Sequence, residues 1–187
     1  MIELQDIKKN YGEILALQGI SASIERGEIV GLLAATGAYD AIRAADLRMC
    51  CLQRETLAAA SPLADAAFAL QALGTTPILL GGSDTARARF AEPALAGKHV
   101  AAFAMTEPDV ASSDATNIAL SIVAEGDDYV INGRKWFITG AMNSACKILI
   151  VMGKTDPDAQ KHQQQYMNMV PLDSPGGRWG RPVTAFG

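Results

Sequence analysis

The spacing of apolar and polar side chains changes twice along this chain, and each change predicts a different kind of element. From Met1 to Leu33 the repeat is near two. Ile2, Leu4 and Gln5 alternate, Tyr11-Gly12 has the composition of a turn, and LALQGISASI reads as a second strand. A polar turn around Glu25-Arg26-Gly27 closes it before the apolar run IVGLL. From Asp40 to Gly97 the spacing becomes helical. Ile42, Ala45, Met49 and Leu52 mark one face of a helix through DAIRAADLRMCCLQRETLAAA, with Arg43, Arg48 and Arg54 elsewhere. Ser61-Pro62 has the form of an N-cap followed by Pro at the first helical position, opening a helix LADAAFALQAL that Gly74 is expected to end. A third helix is predicted from Ser83-Asp84, interrupted near Pro93.

From His99 onward short apolar or alternating runs return. HVAAFAMT, NIALSIVAEG, DYVING, RKWFITG, KILIVMG and QQYMNMVPL are separated by Gly, Asp, Asn and Pro. Asn132-Gly133, between YVI and RKWFI, predicts a tight hairpin, because both turn positions need positive φ. The expected fold class is α+β: a β segment at 1–33, a partial helical domain at 40–97, and an antiparallel β-domain, a sheet or small barrel, at 98–187. The 1–33 strands are expected to stand apart from the sheet of the β-domain.

Composition narrows the partners. Apolar residues make up 49% of the chain and charged residues 19%, which suits a globular protein and not a disordered one. The net charge of -4 leaves no basic footprint, which argues against a nucleic-acid partner. Cys50, Cys51 and Cys146 are odd in number and fit a reducing, cytoplasmic setting. MIELQDIKKN lacks an apolar signal-peptide core, and no apolar run approaches the ~18 residues of a membrane span, so no membrane is expected.

The first tract, IELQDIKKNYGEILALQGISASIERGEIVGLL, resembles the start of the ATP-binding subunits of ABC transporters. Tyr11 matches the aromatic residue that this family stacks on adenine. There the next residues are a phosphate loop, G-x-x-x-x-G-K-[S/T], whose amides and Lys hold phosphates. Here GLLAATGAYD follows instead: Gly31 and Gly37 are one residue too far apart, and Tyr39 and Asp40 replace Lys and Ser/Thr. Gly153-Lys154-Thr155 has Ile148 where the first loop Gly belongs and meets Pro157 too soon, so it reads as a turn after a strand. ATP hydrolysis lacks its chemistry.

Other motifs are scarce. There is no G-x-S-x-G elbow and no G-x-G-x-x-G loop, and His99 and His162 lack metal-ligand spacing and read as surface residues. Cys50 and Cys51, adjacent on a helix, read as core or near-core residues. Glu107 and Asp114 lie in a Pro-containing loop, where carboxylates usually cap turns. No catalytic residue and no metal site is assigned.

Two separated stretches remain, AFAMTEPDVASSDATNI and VINGRKWFITG. With their spacing and order they resemble the acyl-CoA dehydrogenase family, FAD-dependent enzymes that introduce a double bond between the α and β carbons of acyl-CoA thioesters. The resemblance runs from about residue 40 to 187. It implies a partial N-terminal helical domain and an FAD-binding middle β-domain. A flat isoalloxazine needs aromatic or thioether surface beside hydroxyls and amides, a mixture present at Phe103, Met105 and Thr106 and again at Phe137, Ile138 and Thr139. By resemblance, Phe103 to Ser113 contact the flavin and its diphosphate, and Phe137 to Thr139 approach the ring. Thr106 and Thr139 then bond the pyrimidine edge and N5 region, and Ser113 meets the thioester substrate. Many members read TEPGAGSD. This chain reads TEPDVASSD, one residue longer, with Asp109 and Ala111 in place of glycines, which leaves Ser112 and Ser113 as alternatives.

The chain thus reads as a fusion of an ABC-type beginning with an acyl-CoA dehydrogenase segment. It stops at RPVTAFG, whereas the family's catalytic Glu lies in a later helical domain. The expectation is weak or absent FAD binding and no turnover by this chain alone, with homo-oligomerisation left open. The alternatives are an ATP-binding transporter subunit cut before its phosphate loop, or a β-domain that binds without catalysis.

Overall fold

The computed structural model describes residues 2–11, 14–24, 47–111 and 114–182. The expected third strand IVGLL, the stretch Gly31 to Asp40, the helix before Leu47, and Ser112 and Ser113 lie outside the described residues. The chain falls into two compact units that divide between Val100 and Ala101.

In the first unit, β1 (Ile2–Tyr11) and β2 (Ile14–Ile24) pair antiparallel, Ile2 opposite Ile24 and Tyr11 opposite Ile14, as a two-stranded sheet. The register slips between Leu4 and Ile7, where Asp6 takes φ 44, the local backbone of a bulge. Helix α1 (Leu47–Ala60) carries half-buried Cys50 and exposed Cys51, so only the first of this pair sits near a core.

Helix α2 (Pro62–Gly81) opens as the sequence predicts, with the Ser61 hydroxyl accepting from the Ala64 amide and Pro at the start. Its end differs. The helix runs through Gly74 and through Pro77 to Gly81. Pro77 has no N–H to give the preceding turn, and the hydroxyls of Thr75 and Thr76 turn back to the carbonyls of Gln71 and Ala72 at 2.6 Å each. Gly74 is buried, which rewards a small residue inside the helix rather than at its end. Phe68 buries against Leu57 and Ala72, joining α1 to α2, and the Arg54 guanidinium forks onto Asp65 with two 2.8 Å bonds. The extension makes α2 long and apolar enough, by length and composition alone, to cross a membrane, a longer apolar stretch than the sequence reading allowed.

Ser83 caps α3 (Asp84–Ala86) by accepting from the Ala86 amide. The backbone then widens into a π turn, Arg87–Ala91, before α4 (Glu92–Leu95). The interruption predicted near Pro93 takes this form: the wider turn relieves the clash a proline ring makes with the carbonyl four residues back.

The second unit is built on one sheet. Its strands are β3 (Val100–Ala104), β4 (Ser121–Glu125), β5 (Asp128–Asn132), β6 (Cys146–Lys154) and β7 (Gln165–Pro171). The order is β3-β6-β4-β5, with β7 also on β6. Strands β4 and β5, and β6 and β7, pair antiparallel, while β4 meets β6 parallel at Ser121 and Lys154. Strand β6 is apolar almost throughout because neighbours cover it: Ile148, Leu149, Ile150 and Val151 are all buried, with Ala101, Ala102, Ala104, Ile118, Leu120 and Ile122. The class is α+β, as expected.

The hairpin turn is not at Asn132-Gly133. Strands β4 and β5 turn at Gly126-Asp127, where Gly126 takes φ 62, and residues 133–138 form no strand. Gly133 serves close approach instead, since a Cβ built on it would come within 2.7 Å of Leu120.

Candidate active site

At the end of β3 the chain makes a tight turn, Glu107-Pro108-Asp109-Val110, closed by a bridge between Glu107 and Val110. Pro at the second position pre-sets that turn. The non-strand segment after Gly133 lies along it. The Trp136 amide donates to the Thr106 carbonyl at 3.0 Å, and the Lys135 ammonium donates to the Met105 carbonyl at 2.8 Å. Between the two segments opens a cleft of about 490 Å³, lined by Thr106, Glu107, Pro108, Asp109, Val110, Ala111, Trp136 and Phe137.

One wall is aromatic. The Trp136 and Phe137 rings lie 4.3 Å apart at an interplanar angle of 32° and are 42% and 59% exposed, so this is apolar surface left open. Phe137 sits at φ 50, a left-handed backbone that costs a bulky residue about 1–2 kcal/mol.

Glu107, which also lines the cleft, belongs to a buried ion pair. Lys135 reaches Glu107 at 2.8 Å, both side chains being about 5% exposed (6% and 5%). Glu107 also accepts from the amides of Ala119 at 2.8 Å and Leu120 at 3.0 Å. Burial alone would push its carboxyl up, but the Lys135 ammonium and the two amides outweigh burial and hold it below the usual carboxylate range. A carboxylate so held is a cross-link and not a general base. Asp114 caps the 3-10 turn Ala115–Asn117, accepting from the Thr116 amide at 3.0 Å and from Asn117 at 2.8 Å; the Thr116 bonds hold its pKa down. Asp114 serves its turn, as the sequence suggests; the Glu107 carboxylate does not, since its partners Ala119, Leu120 and Lys135 lie far along the chain.

Of the residues singled out in the sequence, Thr106 and Phe137 come together in the cleft, although 31 positions separate them in the chain (137 − 106). Phe103, Met105 and Ile138 are half-buried and Thr139 is exposed, and none of the four lines it. Trp136 and the Lys135–Glu107 link were not foreseen. RKWFI reads as an alternating strand, which would have sent Trp136 and Phe137 to opposite faces, and a buried Lys leaves no local signal. His99 is half-buried, not superficial, with its Nδ1 buried and without a hydrogen-bond partner. Among the described residues, no three His, Cys, Asp or Glu side chains converge on a common point that could hold a metal.

Comparison with known proteins places this cleft in context. Residues 102–187 match the family described as acyl-CoA dehydrogenase, middle domain. A protein named "Probable acyl-CoA dehydrogenase FadE2" from Mycobacterium tuberculosis is 56% identical over 106 residues, 57% of this chain and 26% of that protein. Acyl-CoA dehydrogenase family member 10 of Mus musculus is 52% identical over 106 residues, 57% of this chain and 10% of its own length. The chain therefore spans about a quarter or less of these curated relatives. Among solved structures, the acyl-CoA dehydrogenase of Geobacillus kaustophilus superposes with a TM-score of 0.56 at 33% identity, covering 63% of this chain and 30% of that one. The chain carries a segment of the acyl-CoA dehydrogenase type, and the cleft lies within it.

Proposed function

We propose that the second unit is the flavin-binding β-domain of an acyl-CoA dehydrogenase, with the cleft beside Phe137 receiving the ring of FAD. The observation that carries this reading is the cleft itself. It joins an open aromatic wall, Trp136 and Phe137, to Thr106 within the matched segment. A flat heteroaromatic ring with a polar edge asks for that pairing of surface and hydroxyl. Lys135 neutralises Glu107, which leaves Asp109 as the unpaired carboxylate of the lining. A carboxylate repels diphosphate, so the cleft suits the ring and not the phosphates of the cofactor.

Bound FAD would supply the hydride acceptor for removal of hydrogen from the acyl chain. The residues of this chain bind and orient: Phe137 and Trp136 present apolar surface, and Thr106 offers its hydroxyl to the polar edge. Removal of the α-proton needs a carboxylate free to take it. Glu107, tied by Lys135 and two amides, is not free. Glu107 is therefore not that base, and we assign this chain a binding role and no turnover of acyl-CoA on its own. The full enzyme's substrate is an acyl-CoA thioester, and its partners are further copies of the same chain.

Titration of the purified chain with FAD, followed by flavin absorbance and fluorescence, tests this reading. Weak but saturable binding that perturbs the flavin spectrum is the expected result. An unperturbed spectrum at high protein concentration would reject it.

A further inference from the structure

Most aromatic side chains keep their place because the core packs around them. Trp136 and Phe137 do not have that support, since both rings are substantially exposed. Their backbone is also unfavourable on its own account, Phe137 being left-handed at φ 50. Something other than burial sets this wall.

The residues just before it show what does. Lys135 is anchored twice, to the Met105 carbonyl and to Glu107, both at 2.8 Å. Trp136 is anchored by its amide to the Thr106 carbonyl. Glu107 is in turn fixed to the amides of Ala119 and Leu120, directly before β4. Three stretches of the second unit, 105–107, 119–120 and 135–136, thus meet at one buried pair. A buried ion pair is a poor way to add stability, because desolvation offsets much of its attraction. It is a good way to fix a register, because each charged group must find its own partners in one geometry.

We propose that Glu107 and Lys135 are positioning residues, which lock the Trp136–Phe137 wall against the Thr106 edge so that the cleft is shaped for its ring ligand before binding. The ligand's identity as FAD rests on the function proposed above; the locking of the wall does not. Pre-formed walls spare a ligand the ordering of side chains on binding.

The test uses the whole chain carrying Trp179→Phe, so that Trp136 is the sole indole. Near-UV circular dichroism then reports the fixed Trp136–Phe137 geometry without any ligand. Lys135→Met should reduce that signal by at least half and weaken FAD binding at least tenfold, and Lys135→Arg should recover much of both. In the unmodified chain, amide hydrogen exchange of Trp136 should be slow and match that of Leu120, because the same pair holds both segments. An intact Trp136 signal in Lys135→Met would overturn the proposal. So would free exchange at Trp136 beside protection at Leu120, and that measurement decides the matter even where Lys135→Met does not fold. Should the unmodified chain bind no FAD, the flavin reading falls, and dichroism and exchange still judge the lock.

Discussion

Gly133 lies against Leu120 so closely that an added Cβ would fall 2.7 Å from the Leu120 Cβ and 2.8 Å from its Cα. The second of these atoms is backbone and cannot swing aside. Gly133 also has φ 153, a region L-residues rarely enter. Gly133→Ala should therefore lower the unfolding free energy by about 1–3 kcal/mol through forced backbone movement. Gly126→Ala is the comparison: it too has positive φ, but open space around it, so only the left-handed cost of roughly 1–2 kcal/mol applies. Urea denaturation of both variants would check the order, and a milder effect at Gly133 than at Gly126 would contradict the close approach.

Helix α2 offers a stabilising change. Pro77 interrupts its ladder, and the hydroxyls of Thr75 and Thr76 bond back to Gln71 and Ala72. Pro in a helix interior costs about 3 kcal/mol relative to Ala, part of which these bonds and the surrounding packing offset. Pro77→Ala should raise the thermal midpoint, with a gain of about 1–2 kcal/mol. A lower midpoint would mean that the kink itself is needed for packing.

The Glu107 carboxyl predicts an acid limb. Its folded pKa lies below the unfolded value of about 4.3. Its contribution is then fully present above that unfolded value and is lost as pH falls through the folded pKa. Burial lowers the Lys135 pKa, and its bond and charge pairing with Glu107 work against that shift. Glu107→Gln should be less stable at neutral pH, by an amount on the order of the 3–5 kcal/mol seen when a buried pair is broken. The gap to the unmodified chain should narrow on acidification below about pH 4. A constant gap from pH 7 to pH 3 would show that Glu107 does not ionise differently on folding.

How much of this was legible in the sequence depends on the range of the interaction. Ser61 and Ser83 act on amides three residues ahead, and their caps were readable. The apolar run of β6 announced a covered strand. Gly74 and Asn132-Gly133 misled, because glycine has several uses and only the partner tells which. In one case that partner is Leu120, 13 positions away (133 − 120). The Glu107–Lys135 pair joins residues 28 apart, and no local pattern encodes it. Thr106 and Phe137, from two stretches weighed together in the sequence, meet in one cleft. Phe103, Met105, Ile138 and Thr139 belong to the same stretches and are not among the lining residues of the cleft.

Phe137 separates the needs of the fold from those of the site. It pays for a left-handed backbone, φ 50, while 59% of its side chain remains exposed, so the fold gains little from the ring. Glycine accepts that backbone without strain. Phe137→Gly should therefore leave the unfolding free energy unchanged or raise it by up to about 1 kcal/mol, the relief of the strain being partly offset by the greater chain entropy of glycine. The same change removes one face of the cleft. FAD binding should weaken by at least the 0.5–1.5 kcal/mol (roughly 2- to 13-fold) attributed to an aromatic pair beyond its buried area. Chemical denaturation and FAD titration on one preparation would measure both. Loss of stability with unchanged FAD affinity would mean that the ring serves the fold and that the flavin, if bound, lies elsewhere.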